Sequence, residues 1–324
     1  MSRQVILLAA LAALVPICAV IALLSGSSDV GPDDLLAYFS ADITPLTKTI
    51  LSLRAERALD GLIVGGLLSM AGALLQVLLR NPLAEPYILG ISGGAGVVTL
   101  LALKLGISSA WMPLTAFAGA LFSTLLVFSI SFSNGTWTTD RLLLTGVVIA
   151  AGWSAIISFL LTISSQQQIQ GMLFWLMGDL SQSSQTAAGL FILPVTFLLS
   201  WGIARPLNLL LRGEQQAAAL GENISLLRMI IFILAAAMTA TAVSMAGSIG
   251  FVGLIIPHAL RLMGLHDYRL LLPAAVLAGG CFLVLADTIA RTLLAPQQIP
   301  VGVITALLGV PIFLLLLQRQ YNAR

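Results

Sequence analysis

The side chains that could do chemistry are few and scattered. The 324-residue chain has two histidines, His258 and His266, and two cysteines, Cys18 and Cys281, and no carboxylate pair completes a metal-ligand pattern with them. For His258, in IIPHALRL, we expect a structural imidazole near a helix end rather than a ligand. No phosphate-binding G-x-x-x-x-G-K-[ST] sequence occurs. We therefore expect no catalytic residue, metal or cofactor, and any ATP that drives a process here must bind another chain.

Three arginines could carry a functional charge. Arg54 and Arg57 are three residues apart in LSLRAERALDG, so a helix would place both on one face. Arg291 follows Asp287 by four residues, late in an apolar segment. Simpler roles stay open, because an arginine near a helix end often extends to the lipid headgroups, and Asp287 can pair with Arg291 within one helix. Asp287 and Arg291 are also the candidates for the intramembrane site that an ion-driven transporter would need.

The composition is that of an integral membrane protein. Hydrophobic residues make up 59% of the chain, charged residues 9%, and the mean hydropathy is +1.04, whereas a soluble domain has about 25% charged residues. The first 24 residues could form a signal peptide, but their apolar run is long enough to cross a bilayer and no small-x-small cleavage site follows cleanly. We expect an uncleaved first helix.

Ten apolar segments predict an all-α, polytopic membrane protein in one domain over residues 1–324. They lie near 5–24, 58–79, 89–105, 112–132, 142–163, 188–204, 226–246, 251–264, 271–294 and 301–318. With both termini in the cytoplasm, ten of the 15 Lys and Arg residues fall on the inner side, as insertion favours.

The segment order suggests two related blocks. Segments two to five and seven to ten would enter the membrane from opposite sides, which makes an inverted repeat plausible on topology alone. The eighth segment is too short to cross about 30 Å of hydrocarbon, so we expect protein to shield it or a re-entrant turn to begin it.

The longest inner connection, residues 205–228, reads RPLNLLLRGEQQAAALGENISLLR. It predicts one or two short helices along the inner face, with Gly213 and Gly221 as breaks and Glu214 close to a helix start. A solvated connector is the alternative. Ala217 and Leu220 belong to a small apolar surface that suits docking into a groove of another protein.

Four stretches resemble the FecCD family of permeases. They are RNPLAEPYILGISGGAG, RGEQQAAALG, GSIGFVGLIIPHALRLMG and PVGVITALLGVPIFLLLL, in this order over nearly the whole chain. The resemblance implies an importer subunit of the bacterial inner membrane that forms a homodimer. Its implied partners are two cytoplasmic ABC ATPase subunits, a periplasmic substrate-binding protein and the lipid bilayer, with no nucleic acid.

The same resemblance implies roles for individual residues. The coupling segment gripped by the ATPase matches Gly213, Glu214, Ala217, Leu220 and Gly221. The cytoplasmic gate matches Asn81 and Leu83 after the second segment, and Thr139 and Asp140 in the loop TWTTDRLLLTG. Asp140 is acidic where a vitamin B12-transporting member has a hydroxyl residue. Binding-protein docking matches Arg54, Arg57 and Arg291.

The cargo implied by the family is a metal chelate or a related macrocycle. We expect an iron-siderophore chelate first, vitamin B12 or another corrinoid second and haem third, transported by alternating access along a path between two subunits. An ion-driven secondary transporter and a membrane-embedded enzyme are the competing classes. The second would need clustered histidines or carboxylates at one depth, which the sequence does not offer.

Overall fold

The computed structural model describes residues 3–28, 30–40, 44–132, 138–181 and 186–322. The α-helices in these ranges are α1 (Arg3–Leu24), α2 (Pro32–Ser40), α3 (Pro45–Leu78), α4 (Ile91–Lys104), α5 (Met112–Ser131), α6 (Thr139–Thr162), α7 (Gln166–Met177), α8 (Thr186–Gly202), α9 (Ala204–Leu210), α10 (Glu214–Ala219), α11 (Ile224–Ala246), α12 (Val252–Leu262), α13 (Tyr268–Thr292) and α14 (Val301–Asn322). Short 3₁₀ helices cover Pro86–Leu89 and Ser109–Trp111. The protein is an all-helical, polytopic membrane protein, as the sequence predicts.

Each of the ten predicted segments contains one of these helices, but their lengths differ. Six described helices, α1, α3, α5, α6, α11 and α13, are long and apolar enough to cross a bilayer. The pair α8 and α9 would form a seventh crossing with a bend of 57°, and α4 and α12 are apolar but shorter. The apolar part of α14 covers Val301–Leu316.

The predicted start of the second segment is wrong, because α3 begins at Pro45 rather than near residue 58. Thr44 caps the helix by accepting a hydrogen bond from the Thr47 amide, and Pro45 occupies the first turn, where its missing N–H costs nothing. Arg54 and Arg57 therefore lie inside this helix and not ahead of it.

Helix α3 forms the centre of the molecule. In its most apolar 18-residue stretch 94% of the residues are buried, and α13, α11, α12, α8 and α1 pack around it. Two glycines set the closest approaches. A Cβ atom on Gly72 would lie 1.9 Å from the Gly253 carbonyl oxygen of α12, and one on Gly65 would lie 2.2 Å from the Gly279 carbonyl oxygen of α13. Such close backbone contact stabilises the helix pairs through dispersion, because helices in lipid gain little hydrophobic free energy by associating.

Two short helices, α4 and α12, are joined through the segments that precede them. The Phe251 amide donates a hydrogen bond to Glu85 Oε1 at 2.6 Å, and the Ile249 amide donates to the Tyr87 hydroxyl at 3.0 Å. Most of α12 is buried, which confirms that protein shields the eighth segment. Irregular backbone is tolerated inside a membrane protein when protein satisfies its polar groups, as these contacts do.

The element order also repeats. Both α3–α6 and α11–α14 run from a long helix through a break into a short helix and then into two further helices. This order agrees with the two blocks predicted from the sequence.

Candidate functional sites

Charged residues form two clusters at the two ends of α3. Arg57 lies in the first half of the helix and Arg80 just after its end, which separates them by about 35 Å at about 1.5 Å per residue. Residues 61–79 between them contain no charged side chain. Because the hydrocarbon core of a bilayer is about 30 Å thick, the two clusters are spaced to lie at its two surfaces.

The first cluster is centred on the carboxylate of Asp287 in α13. The Arg57 guanidinium donates from Nε to both carboxylate oxygens, at 3.0 and 2.9 Å, and from Nη2 to Oδ1 at 2.8 Å. Its remaining Nη1 donates to Gln298 Oε1 at 2.9 Å. Arg291 Nε lies 3.2 Å from Asp287 Oδ2, so the intramolecular pair that the sequence left open is present. A bidentate arginine–carboxylate contact is the strongest geometry available to such a pair.

Arg54 and Arg291 also fix the end of α1. Arg54 donates to the carbonyl oxygens of Leu23 and Ser28, both at 2.8 Å, and Arg291 donates to the Ala22 carbonyl oxygen at 3.0 Å. Their relative exposures are only 6% and 8%. These two arginines therefore satisfy the open carbonyl groups at the last turn of α1, which a helix end leaves without internal partners.

The three arginines assigned to docking line one cavity of about 370 Å³. Ser27, Ser28, Glu56, Asp60 and Gln298 contribute polar groups to the same wall. The structure thus brings Arg291 together with Arg54 and Arg57, although it lies more than 230 residues further along the chain. It also gives them partners within the molecule. The main partner is Asp287, which the sequence pairs with Arg291 but not with Arg57.

The second cluster lies on the connection between α8 and α11. Two short helices form there, α9 and α10, with Gly213 and Gly221 at positive φ angles of 117° and 90° on either side of α10. This confirms the predicted helices and their glycine breaks. Ala217 is fully buried, whereas Leu220 is 66% exposed, so the apolar surface available to a partner contains Leu220 and not Ala217.

Glu214 receives two arginines that the sequence analysis missed. Its Oε1 atom lies 2.5 Å from Arg80 Nη2, and the same oxygen pairs with the Arg228 guanidinium of α11. The three residues are distant in sequence, and Arg80 and Arg228 carry no local pattern that distinguishes them from other arginines near helix ends. Only the packing of α10 between the ends of α3 and α11 brings them together.

The residues of the first predicted gate pair, Asn81 and Leu83, follow Arg80 closely in the chain. Asn81 Oδ1 accepts a hydrogen bond from the Leu83 amide at 2.9 Å, and the Asn81 carbonyl accepts one from the Ala84 amide at 3.0 Å. These bonds form a compact turn, and the Leu83 side chain on it is 40% exposed.

The second gate pair lies in a helix, so its predicted loop location is wrong. Thr139 and Asp140 form the first turn of α6, and Thr138 caps it by accepting a 3.4 Å bond from the Arg141 amide. The rest of the predicted loop, residues 133–137, lies outside the described ranges. In the part of the chain that the structure describes, no hydrogen bond or ion pair joins the two gate pairs. Helix α6 instead packs on the 3₁₀ helix that follows the first pair, since a Cβ atom on Gly146 would lie 2.7 Å from the Ile88 carbonyl oxygen.

Comparisons with known proteins agree with this architecture. The model of the FecCD transport family matches residues 14–319. The cobalamin import system permease protein BtuC of Halobacterium salinarum is 42% identical over 270 residues, covering 82% of this chain and 72% of the relative. The vitamin B12 import system permease protein BtuC of Salmonella typhi is 38% identical over 323 residues, covering 98% and 96%.

Solved structures show the same fold. One, described as an inward-facing conformation of a metal-chelate type ABC transporter, superposes with a TM-score of 0.85 at 32% identity and covers 96% of this chain and 98% of its own. The chain therefore belongs to the FecCD transport family and is a membrane permease subunit of an ABC importer, a class whose ATPase is a separate subunit.

Proposed function

We propose that the cargo of this permease is a corrinoid of the vitamin B12 type. The observation that carries the proposal is the match to vitamin B12 permeases over 98% of the chain. The sequence analysis placed an iron chelate first and a corrinoid second, and these relatives reverse that order. A metal chelate remains the second candidate, because the structural neighbour of that type is 32% identical over nearly the same length.

The working unit would be a homodimer with the transport path between the subunits, lined by α6 and α14. In one chain α6 leaves a broad apolar surface uncovered, since only 11% of its most apolar stretch is buried. Exposed side chains on the two helices include Leu144, Val148, Leu307 and Leu315. A path with such walls lacks fixed charges and transmits a bulky neutral solute with little selection, so selection would come from the binding protein.

The ion cluster argues against the ion-driven alternative. The candidate intramembrane carboxylate, Asp287, already holds Arg57 and Arg291 in short contacts. A transported-ion site needs a carboxylate that is free to exchange its partner. Asp287 is better explained as the centre of a structural cluster.

The docking proposal rests on the match of Arg54, Arg57 and Arg291 to the family's docking positions. The three arginines do not give the cluster a net positive charge, because Asp287 and Asp179 face Arg57, and Glu56 and Asp60 line the same cavity. Since Arg54 and Arg291 are also almost completely buried, we propose that they hold the end of α1 against α3 and α13 in the shape that the binding protein recognises, rather than pairing directly with its acidic groups.

A two-cargo uptake experiment tests the function. The permease, its ATPase and its binding protein are expressed in cells that lack their own corrinoid and siderophore permeases, and uptake of a labelled corrinoid and of a labelled ferric siderophore is measured. We expect uptake of the corrinoid and none of the iron chelate. The reverse result would replace the proposed cargo with the second candidate, and cells expressing the binding protein and ATPase alone provide the background.

A further inference from the structure

The end of α3 differs from the other described helix ends that close in the same way. After the helix, the Arg80 amide donates to the Val77 carbonyl and the Asn81 amide to the Gln76 carbonyl, both at 3.1 Å. This bonding pattern is the Schellman motif, which places one residue in the left-handed conformation. Here that residue is Arg80, with φ at 47°.

Glycine occupies the equivalent position at three other helix ends. Gly106 after α4, Gly221 after α10 and Gly264 after α12 have φ angles of 71°, 90° and 97° and make the same two types of bond. Among the described helix ends with this motif, α3 is the one that uses a residue with a side chain. Glycine would adopt the conformation without strain, so the arginine needs another explanation.

The side chain of Arg80 supplies that explanation. It extends to Glu214, the first residue of α10, where Oε1 and Arg80 Nη2 are 2.5 Å apart. Arg228 holds the other side of the same oxygen. Glu214 thus links α10 to the beginning of α11 and to the residue that directly precedes Asn81.

The link is poorly placed to stabilise the fold. The Arg80 side chain is 49% exposed and that of Glu214 30%, and ion pairs this accessible to solvent contribute little to stability. A left-handed arginine held for a weak surface contact is a feature that packing does not require. Departures from local sequence rules of this kind concentrate at functional sites.

We propose that the Arg80–Glu214 ion pair transmits movement of α10 to the turn formed by Asn81 and Leu83. Arg80 is then a positioning residue, and Glu214 acts inside the permease rather than as a contact to the ATPase. The inference deepens the proposed function, because it requires an ATPase that acts on α10. It assigns different roles to two residues of the coupling segment. Exposed Leu220 binds the ATPase, and Glu214 transmits the movement of α10 to Arg80.

The substitution Arg80→Gly tests the proposal, because it removes the ion pair and also relieves the backbone. The complete importer is reconstituted and three quantities are measured: ATPase that co-purifies, ATP hydrolysed and cargo transported per ATP. We expect normal assembly, a thermal midpoint equal to or above that of the wild type, and cargo per ATP lowered about tenfold, a usual size for coupling between sites. Arg80→Lys keeps the charge and should restore most of the coupling.

Leu220→Glu provides the contrast, since it should prevent the ATPase from co-purifying at all. Arg212→Gly, an exposed arginine on the same connection, should leave cargo per ATP unchanged. The proposal is overturned if Arg80→Gly transports as many molecules per ATP as the wild type. It is also overturned if Arg80→Gly and Arg80→Gln both lose the ATPase, because the arginine would then act in assembly. Failure of the wild type itself to show ATP-dependent uptake would instead refute the proposed function.

Discussion

Replacing Gly72 with alanine should destabilise the permease by about 4 kcal/mol or more, a size reserved for severe disruption of a core. The added Cβ atom would lie 1.9 Å from the Gly253 carbonyl oxygen and 2.6 Å from the Gly253 Cα atom. Both are backbone atoms, so no side chain can rotate away and α3 must separate from α12. Thermal unfolding in detergent, followed by size-exclusion chromatography, measures the loss of the folded species.

Gly171→Ala is the matched control for this substitution. Gly171 also lies inside a helix, α7, but a Cβ atom there would meet nothing within 4 Å. Since alanine favours a helix over glycine by about 1 kcal/mol, this variant should be at least as stable as the wild type. Equal stability of the Gly72 and Gly171 variants would show that α3 and α12 do not pack as closely as described.

Asp287→Ala should lower the free energy of unfolding by about 3–5 kcal/mol, because it removes the carboxylate that pairs with two buried guanidinium groups. Arg57 would lose a bidentate contact and Arg291 its carboxylate, while both guanidinium groups stay enclosed between α1, α3 and α13. The same unfolding measurement detects the change. The substitution should also release the end of α1, whose carbonyl groups Arg54 and Arg291 hold in place.

Two further variants distinguish the cost of removing a buried charge partner from the cost of lost packing. Asp140→Ala removes an exposed carboxylate from the first turn of α6 and should cost less than about 1 kcal/mol. Replacing all three charged partners, with Arg57→Met, Asp287→Leu and Arg291→Met, should recover part of the stability lost in Asp287→Ala, because apolar groups can replace a buried ion cluster. If Asp287→Ala unfolds like the wild type, the cluster is not structural.

The long-range order of hydrophobic segments was predictable from the sequence, whereas the limits of α3 were not. Each apolar run contains one helix because a chain in lipid must satisfy its backbone internally. The charges of Arg54, Arg57 and Asp60 made the start of α3 look like a connection. Asp287, the carboxylate that pairs with Arg57, is 230 residues away, and no local pattern reveals it. Thr44 and Pro45, which begin the helix, are a start signal that the sequence does contain.

The structure of the coupling segment was also predictable only in part. Gly213 and Gly221 predicted the breaks around α10, because local backbone conformation depends on residue type. The environment of Glu214 did not follow from the sequence, since its two arginines come from the ends of other helices. The inward position of Ala217 beside exposed Leu220 also required the structure.

The positions of the two charged clusters bear on how transport is driven. An uncharged, closely packed stretch of α3 lies between the two charged clusters. In the described residues, Asp287, the carboxylate at the centre of the first cluster, already pairs with Arg57 and Arg291. As a permease subunit of an ABC importer, the chain works with a separate ATPase, and we propose that this ATPase binds at the α10 end. The permease supplies the path and the moving parts.

Uptake into vesicles that contain the purified permease tests this claim most directly. Vesicles are prepared with the permease alone and with its ATPase subunits, loaded with ATP, and exposed to the binding protein carrying a labelled corrinoid. The account predicts accumulation only when both the ATPase and ATP are present, with no effect of a proton or sodium gradient. Accumulation against a concentration gradient in vesicles that hold the permease alone would contradict it.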